Sequence, residues 1–146
     1  MCSESHDVEF LSKLESAHEH MTGHINRYVN AWNRGDIAAA MDTFVETDLD
    51  YTDHGAMRYH MDKPSLRAFF GELLQACGNI KIKTIMVKGA HDFCVWESET
   101  EFIAKMEIPG TPVRKGEKAL LHCASLMWWN MDRKITKEVD YAVWRR

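Results

Sequence analysis

The sequence predicts an α+β fold in which helices from the N-terminal half pack on one face of an antiparallel sheet built by the C-terminal half. Two hydrophobic periods, one in each half of the chain, carry this reading. Up to residue 77 the long apolar runs repeat every three or four positions, as on one face of a helix, and after residue 80 they alternate, as in strands. The third observation is a hairpin at the end of the chain. Residues 119–129 of the strand 117–129 are apolar on both alternating faces, a polar turn follows at Asn130-Met131-Asp132-Arg133, and residues 134–144 return. With 146 residues, the chain has the length of one domain, taken as 1–146, and can bury one substantial core.

In order along the chain, Phe10, Leu14, Ala17, Met21, Ile25, Tyr28 and Trp32 line one face of a helix over residues 7–34, which Gly35 stops. Asp36 is an N-cap for a shorter helix through residue 45, with Ile37, Met41 and Phe44 on its buried face. Residues 49–55 form a short strand, and residues 55–60 continue it irregularly. Asp62-Lys63-Pro64 opens a third helix whose stripe is Leu66, Phe69, Phe70, Leu73, Leu74 and Cys77, closed by Gly78. Four strands follow at residues 80–88, 93–108, 117–129 and 134–144.

Composition excludes some functions. A net charge of -4 without a Lys/Arg run argues against nucleic-acid binding, which needs a basic surface to neutralise phosphates. No apolar segment approaches the roughly 20 residues that span a bilayer, and the N-terminus lacks a basic and apolar leader pattern. Cys2, Cys77, Cys94 and Cys123 are widely spaced and form no C-x-x-C pair. They read as reduced core thiols of a cytoplasmic protein.

Several polar residues fall where burial is expected. Leu49, Tyr51 and Asp53 share a strand face, so if the first two enter the core, Asp53 goes with them and needs a partner or a task. It should then be the most desolvated carboxylate, and so a strengthened base; the competing reading makes it a turn cap before Gly55. His54 points to the opposite side of an ideal strand, although Gly55 could permit a bulge that turns it inward. Glu97 sits where its strand face changes from apolar to acidic, while Cys94, Trp96, Ser98, Thr100 and Phe102 hold the other face. His122 and Ser125 interrupt the most apolar strand, beside a strand carrying Glu138 and Asp140. A metal reading of His6, His18, His20 and His24 is weaker than a solvated helix face. His20 and His24 lie one turn apart, but no Glu directly follows His20, as the zinc-protease pattern requires.

Several strings make the chain similar to a known family: Tyr28-Val29-Asn30-Ala31-Trp32-Asn33-Arg34-Gly35-Asp36, Tyr51-Thr52-Asp53-His54-Gly55-Ala56, Leu66-Arg67-Ala68-Phe69-Phe70, Val95-Trp96-Glu97 and Ser125-Leu126-Met127-Trp128-Trp129-Asn130, with Lys134-Ile135 leading to Asp140-Tyr141. Over nearly its whole length the chain resembles the SnoaL-like polyketide cyclases of the nuclear-transport-factor-2-like superfamily. The resemblance implies a cone-shaped α+β fold, with three helices packed on the concave face of a curved antiparallel sheet. It also implies an apolar pocket where Asp, Glu or His moves protons, usually without metal or organic cofactor. Transferred by position, Tyr51, Trp96, His122, Trp128 and Tyr141 would line the pocket, and Asp53, His54, Glu97 and Asp140 would supply the acid and base. Alternation forbids Asp140 and Tyr141 from both pointing inward. The resulting expectation is a cofactor-independent lyase, isomerase or cyclase acting on a hydrophobic carbonyl compound of secondary metabolism, polyketide- or terpenoid-like. A noncatalytic small-molecule binder or scaffold of the same fold is the rival. The apolar back of the sheet is expected to be covered by a second copy, giving a homodimer.

Overall fold

A computed structural model describes residues 3–145, with side chains described for residues 7–89 and 91–145; Cys2 and the His6 side chain lie outside the described residues. Helix α1, Ser3–Asn33, is longer than the spacing predicts. Its stripe is buried from Met21 through Ile25 and Tyr28 to Trp32, but Phe10 is 62% exposed, because the first turns extend past the core. Gly35, at φ 72, ends the helix as expected. The Asp36 carboxylate accepts a 3.0 Å hydrogen bond from Ala39 N and starts α2, Ile37–Met41. Helix α3, Lys63–Ala76, starts on Asp62, which accepts from Ser65 N at 2.9 Å. Cys77 is already extended and opens a strand, so the helix ends before Gly78.

Six strands form one sheet: β1 Asp50–Asp53, β2 Arg58–Met61, β3 Cys77–Ala90, β4 Phe93–Ala104, β5 Lys118–Trp129 and β6 Ile135–Arg145, in the order β2-β1-β6-β5-β4-β3. The helices cover its concave face. Four of the five ladders are antiparallel, as the hairpin turns require, whereas β1 lies parallel to β6, pairing Asp53 with Asp140. That parallel pair joins distant parts of the chain and is anchored by Val45 N to Ile135 O at 3.0 Å and Ile135 N to Thr43 O at 2.8 Å. It brings the carboxylates of the two strands together.

Strand β6 contains an irregularity that alternation alone does not reveal. Trp128 pairs with Lys137 but Trp129 pairs with Ile135, so one extra residue is inserted between them. The bulge lets Ile135, fully buried, and Glu138, 1% exposed, both face the core, with Asp140 and Ala142 following Glu138 inward. Val139, Tyr141 and Val143 consequently face the convex side, and Val143 is 67% exposed.

Candidate active site in the concave face

A cavity of about 140 Å³ lies between α1, α3 and the concave face of the sheet. That is close to the space an apolar cavity needs to hold one benzene-sized ring. Trp32, Phe69, Phe70, Trp96 and Phe102 supply its aromatic wall. Tyr28 meets Trp96 edge to face at 5.9 Å, and Tyr51 meets Phe70 the same way at 6.0 Å. The Trp96 indole N–H donates to Thr84 Oγ1 at 3.0 Å, which fixes the ring.

The polar wall is a carboxylate cluster formed by Asp53, Glu138 and Asp140, with Ser125 and Cys123 beside them. The Tyr51 hydroxyl donates a short hydrogen bond to Asp140 Oδ2. Glu138 stands beside Asp140 on the same strand face, and Ser125 is the cross-strand partner of Asp140. Glu138 Oε1 and Asp140 Oδ1 are out of contact with solvent, and neither receives a hydrogen bond from the described residues. Two buried carboxylates so placed cannot both be ionised, and one shared proton supplies the donor they lack. Burial holds Glu138 well above the usual carboxylate range, and the neighbouring Asp140 charge adds to it. Asp140 is also raised by burial, while its polar neighbours Glu138, Tyr51 and Ser125 favour its charged form. The pair therefore holds one proton in common near neutral pH.

Asp53 is pushed up to about 6, first by burial and then by the charge of Asp140. Its Oδ1 accepts from Ala56 N at 2.9 Å, so the residue caps the turn and lines the cavity at once. Gly55 permits this arrangement: a Cβ there would stand 2.8 Å from Ala142 Cβ and 3.3 Å from Asp53 Oδ1. The same three acids, after burial itself, push the Cys123 thiol up to about 12, which leaves it protonated and unreactive at neutral pH.

Of the residues singled out in the sequence, Tyr51, Asp53, Trp96 and Asp140 line this cavity. His54, Glu97, His122, Trp128 and Tyr141 do not, and strand alternation is the reason. No bulge at Gly55 turns His54 inward; its ring stacks on Tyr141 at 4.6 Å on the other side of the sheet, and its N–H is tied to Asp140 O at 2.9 Å. On the convex face His122 stands 3.7 Å from Glu97 and 3.8 Å from Glu99. Trp128 packs there on Phe93 at 5.1 Å with the Lys137 ammonium 5.0 Å over its ring. The most desolvated acid is Glu138 rather than Asp53. The site list read from the sequence lacked Glu138, although its place two residues before Asp140 puts both on one strand face.

The α1 histidines do not converge. His18 Nδ1 lies 3.2 Å from Gly89 O, His20 Nδ1 lies 2.8 Å from Ser16 O, and His24 Nδ1 accepts from Arg27. Among the described residues no group of three or more His, Cys, Asp or Glu side chains is placed to hold a metal ion.

The family model of the SnoaL-like domain matches residues 25–138, most of the chain and nearly all of this cavity. The chain belongs to the SnoaL-like domain family. Asp140 lies just beyond the matched segment of the SnoaL-like domain. Solved structures similar to it include AclR, a proposed hydroxylase from Streptomyces galilaeus, at 13% identity over 86% of this chain and 90% of that one, with a TM-score of 0.73. IdmH, a proposed polyketide cyclase from Streptomyces antibioticus, is 12% identical over 83% and 90%, with a TM-score of 0.69. A protein with a ketosteroid isomerase-like fold from Catenulispora acidiphila, in complex with trimethylamine, is 18% identical over 81% and 83%, with a TM-score of 0.65. At these identities the likeness is one of fold. No curated protein matches the chain. Among the described residues no helix of this SnoaL-like chain is long and apolar enough to cross a membrane.

Proposed function

We propose that the chain, acting as one domain, is a cofactor-independent enzyme that moves a proton next to the carbonyl of a small hydrophobic molecule, as in isomerisation, cyclisation or elimination. The observation that carries this reading is the pairing of one proton-sharing carboxyl pair with a third carboxylate at about 6 in an aromatic cavity. Two environments push the acids apart in function. Asp53 is ionised near neutral pH, and its raised pKa makes it a stronger base than a solvated aspartate. The Glu138–Asp140 pair keeps a proton at neutral pH, and with the Tyr28 hydroxyl it can hydrogen-bond the oxygen of a developing enolate. Asp53 takes the proton from carbon, the enolate oxygen is held by these donors, and Asp53 returns the proton to a second carbon or the enolate expels a leaving group. A cavity of about 140 Å³ favours a reacting end of one ring, with any larger polyketide- or terpenoid-like remainder outside.

The test is exchange of α-protons into heavy water with a panel of cyclic ketones, followed by proton NMR. Exchange above the buffer rate supports the enzyme; saturable ketone binding without exchange assigns the cavity to a binder. A second copy would cover the convex face of the sheet, where Tyr141 is 49% exposed and Val143 67%. Light scattering at micromolar concentration should give the dimer mass, and a monomer mass refutes it. Free Cys77, Cys94 and Cys123 suit the reducing cytoplasm.

A further inference from the structure

A second recess, of about 460 Å³, opens between α1 and the turns that join β3 to β4 and β5 to β6. Buried Met21 and Trp129 form its floor, and His24, His91, Asp92 and Arg133 its rim. It shares no lining residue with the carboxylate cavity. On each contributing element a buried residue intervenes between the two: Ile25 between Met21 and Tyr28, Cys94 between Asp92 and Trp96, and Met127 between Trp129 and Ser125. Its size falls within the range of small-molecule sites, roughly 300–1,000 Å³. His24 and Arg133 also border an adjoining groove with His20, Gly23, Arg27 and Glu19.

The rim and the adjoining groove carry two arginines, Arg133 and Arg27. Arginine ion pairs among the described residues are Arg34 with Asp36, Arg58 with Glu72 and Arg145 with Glu99; Arg27 and Arg133 take part in none. Asp92 and Glu19 are the acids lining these two recesses, and neither is ion-paired to Arg27 or Arg133. Burial first, then Arg27, Arg133, His20 and Lys134, hold its imidazole below the ordinary value. Because His24 Nδ1 accepts from Arg27, the neutral ring carries its proton on Nε2 and offers a further donor.

Gly23 is a poor helix residue in the interior of α1, yet a Cβ there would meet nothing within 4 Å, so packing does not require it. Its bare backbone keeps the groove wide. His91 and Arg133 hold left-handed φ values of 65° and 59° at turn positions that glycine or asparagine would fill with less strain.

We propose that this recess binds an amphipathic carboxylate, its apolar body on Met21 and Trp129 and its carboxylate held by Arg133, Arg27 and His24. Guanidinium groups suit this ligand because their paired N–H donors match the two carboxylate oxygens. The experiment is amide NMR of the full chain titrated with 1-naphthoate, and in parallel with 1-naphthalenemethanol as the neutral molecule of similar shape. The expected result is movement of the amides of residues 23, 24, 91, 92 and 129 to 133, with the alcohol binding at least about tenfold more weakly. Arg133→Asn removes the charge while suiting the left-handed turn, and Arg27→Gln keeps the helix; each should weaken naphthoate binding by roughly tenfold or more. The proposal is overturned if naphthoate moves only amides around Asp53 and Asp140, if acid and alcohol bind alike, or if both variants bind as the wild type does.

Discussion

Replacing Asp53 by Asn should make the protein more stable and less active at once, and the size of the first effect follows from its burial. In the folded chain Asp53 stands at about 6 against an ordinary 3.8, a difference that costs the ionised form ~3 kcal/mol at about 1.4 kcal/mol for each tenfold. The fold favours the protonated acid. The contribution to stability is therefore complete below 3.8 and is lost as pH rises through about 6, leaving the wild type penalised at neutral pH. Asn is neutral throughout and its Oδ1 can still accept from Ala56 N, so the turn cap survives. Urea denaturation at about pH 8 should show the variant more stable by ~2–3 kcal/mol, and at about pH 4 the gap should nearly close. Ketone proton exchange should fall by on the order of a hundredfold, the usual scale for losing a general base. A variant less stable than the wild type at pH 8, with exchange unchanged, would refute the reasoning and reduce Asp53 to a cap.

Glu138→Gln keeps a donor toward Asp140 and removes a carboxyl that burial penalises, so it should raise the melting temperature at neutral pH and lower exchange by about tenfold or more. Tyr51→Phe removes the hydroxyl that holds Asp140 Oδ2; a buried acceptor left short of a donor costs ~1–3 kcal/mol, readable as a lower urea midpoint. Gly55→Ala should destabilise by ~1–3 kcal/mol in the same assay, since its Cβ would meet Ala142 Cβ at 2.8 Å. Glu97→Gln lies across the sheet from the cavity and should leave exchange at the wild-type rate; a large loss would move the site to the convex face.

The sequence alone determined the order of elements and most of the core, because a helix or strand face must be continuous to be buried. The stripe from Met21 to Trp32, the caps at Asp36 and Asp62, the inward face of β4 and the placing of Tyr51 with Asp53 all follow from period and local chemistry. Alternation also required that Asp140 and Tyr141 oppose each other. Only the tertiary structure decided which of the two faces the cavity. In β6 the apolar residues Ile135, Val139, Tyr141 and Val143 alternate cleanly and look like the buried face, yet the bulge opposite Trp128 and Trp129 changes the phase after Ile135. Glu138 and Asp140 thereby enter the core, and Tyr141 and Val143 leave it. The parallel pairing of β1 with β6 then sets Asp53 beside Asp140 across 87 residues of chain. Neither event leaves a local signature, since a one-residue insertion and a long-range strand partner are chosen by the whole packed sheet rather than by neighbouring residues.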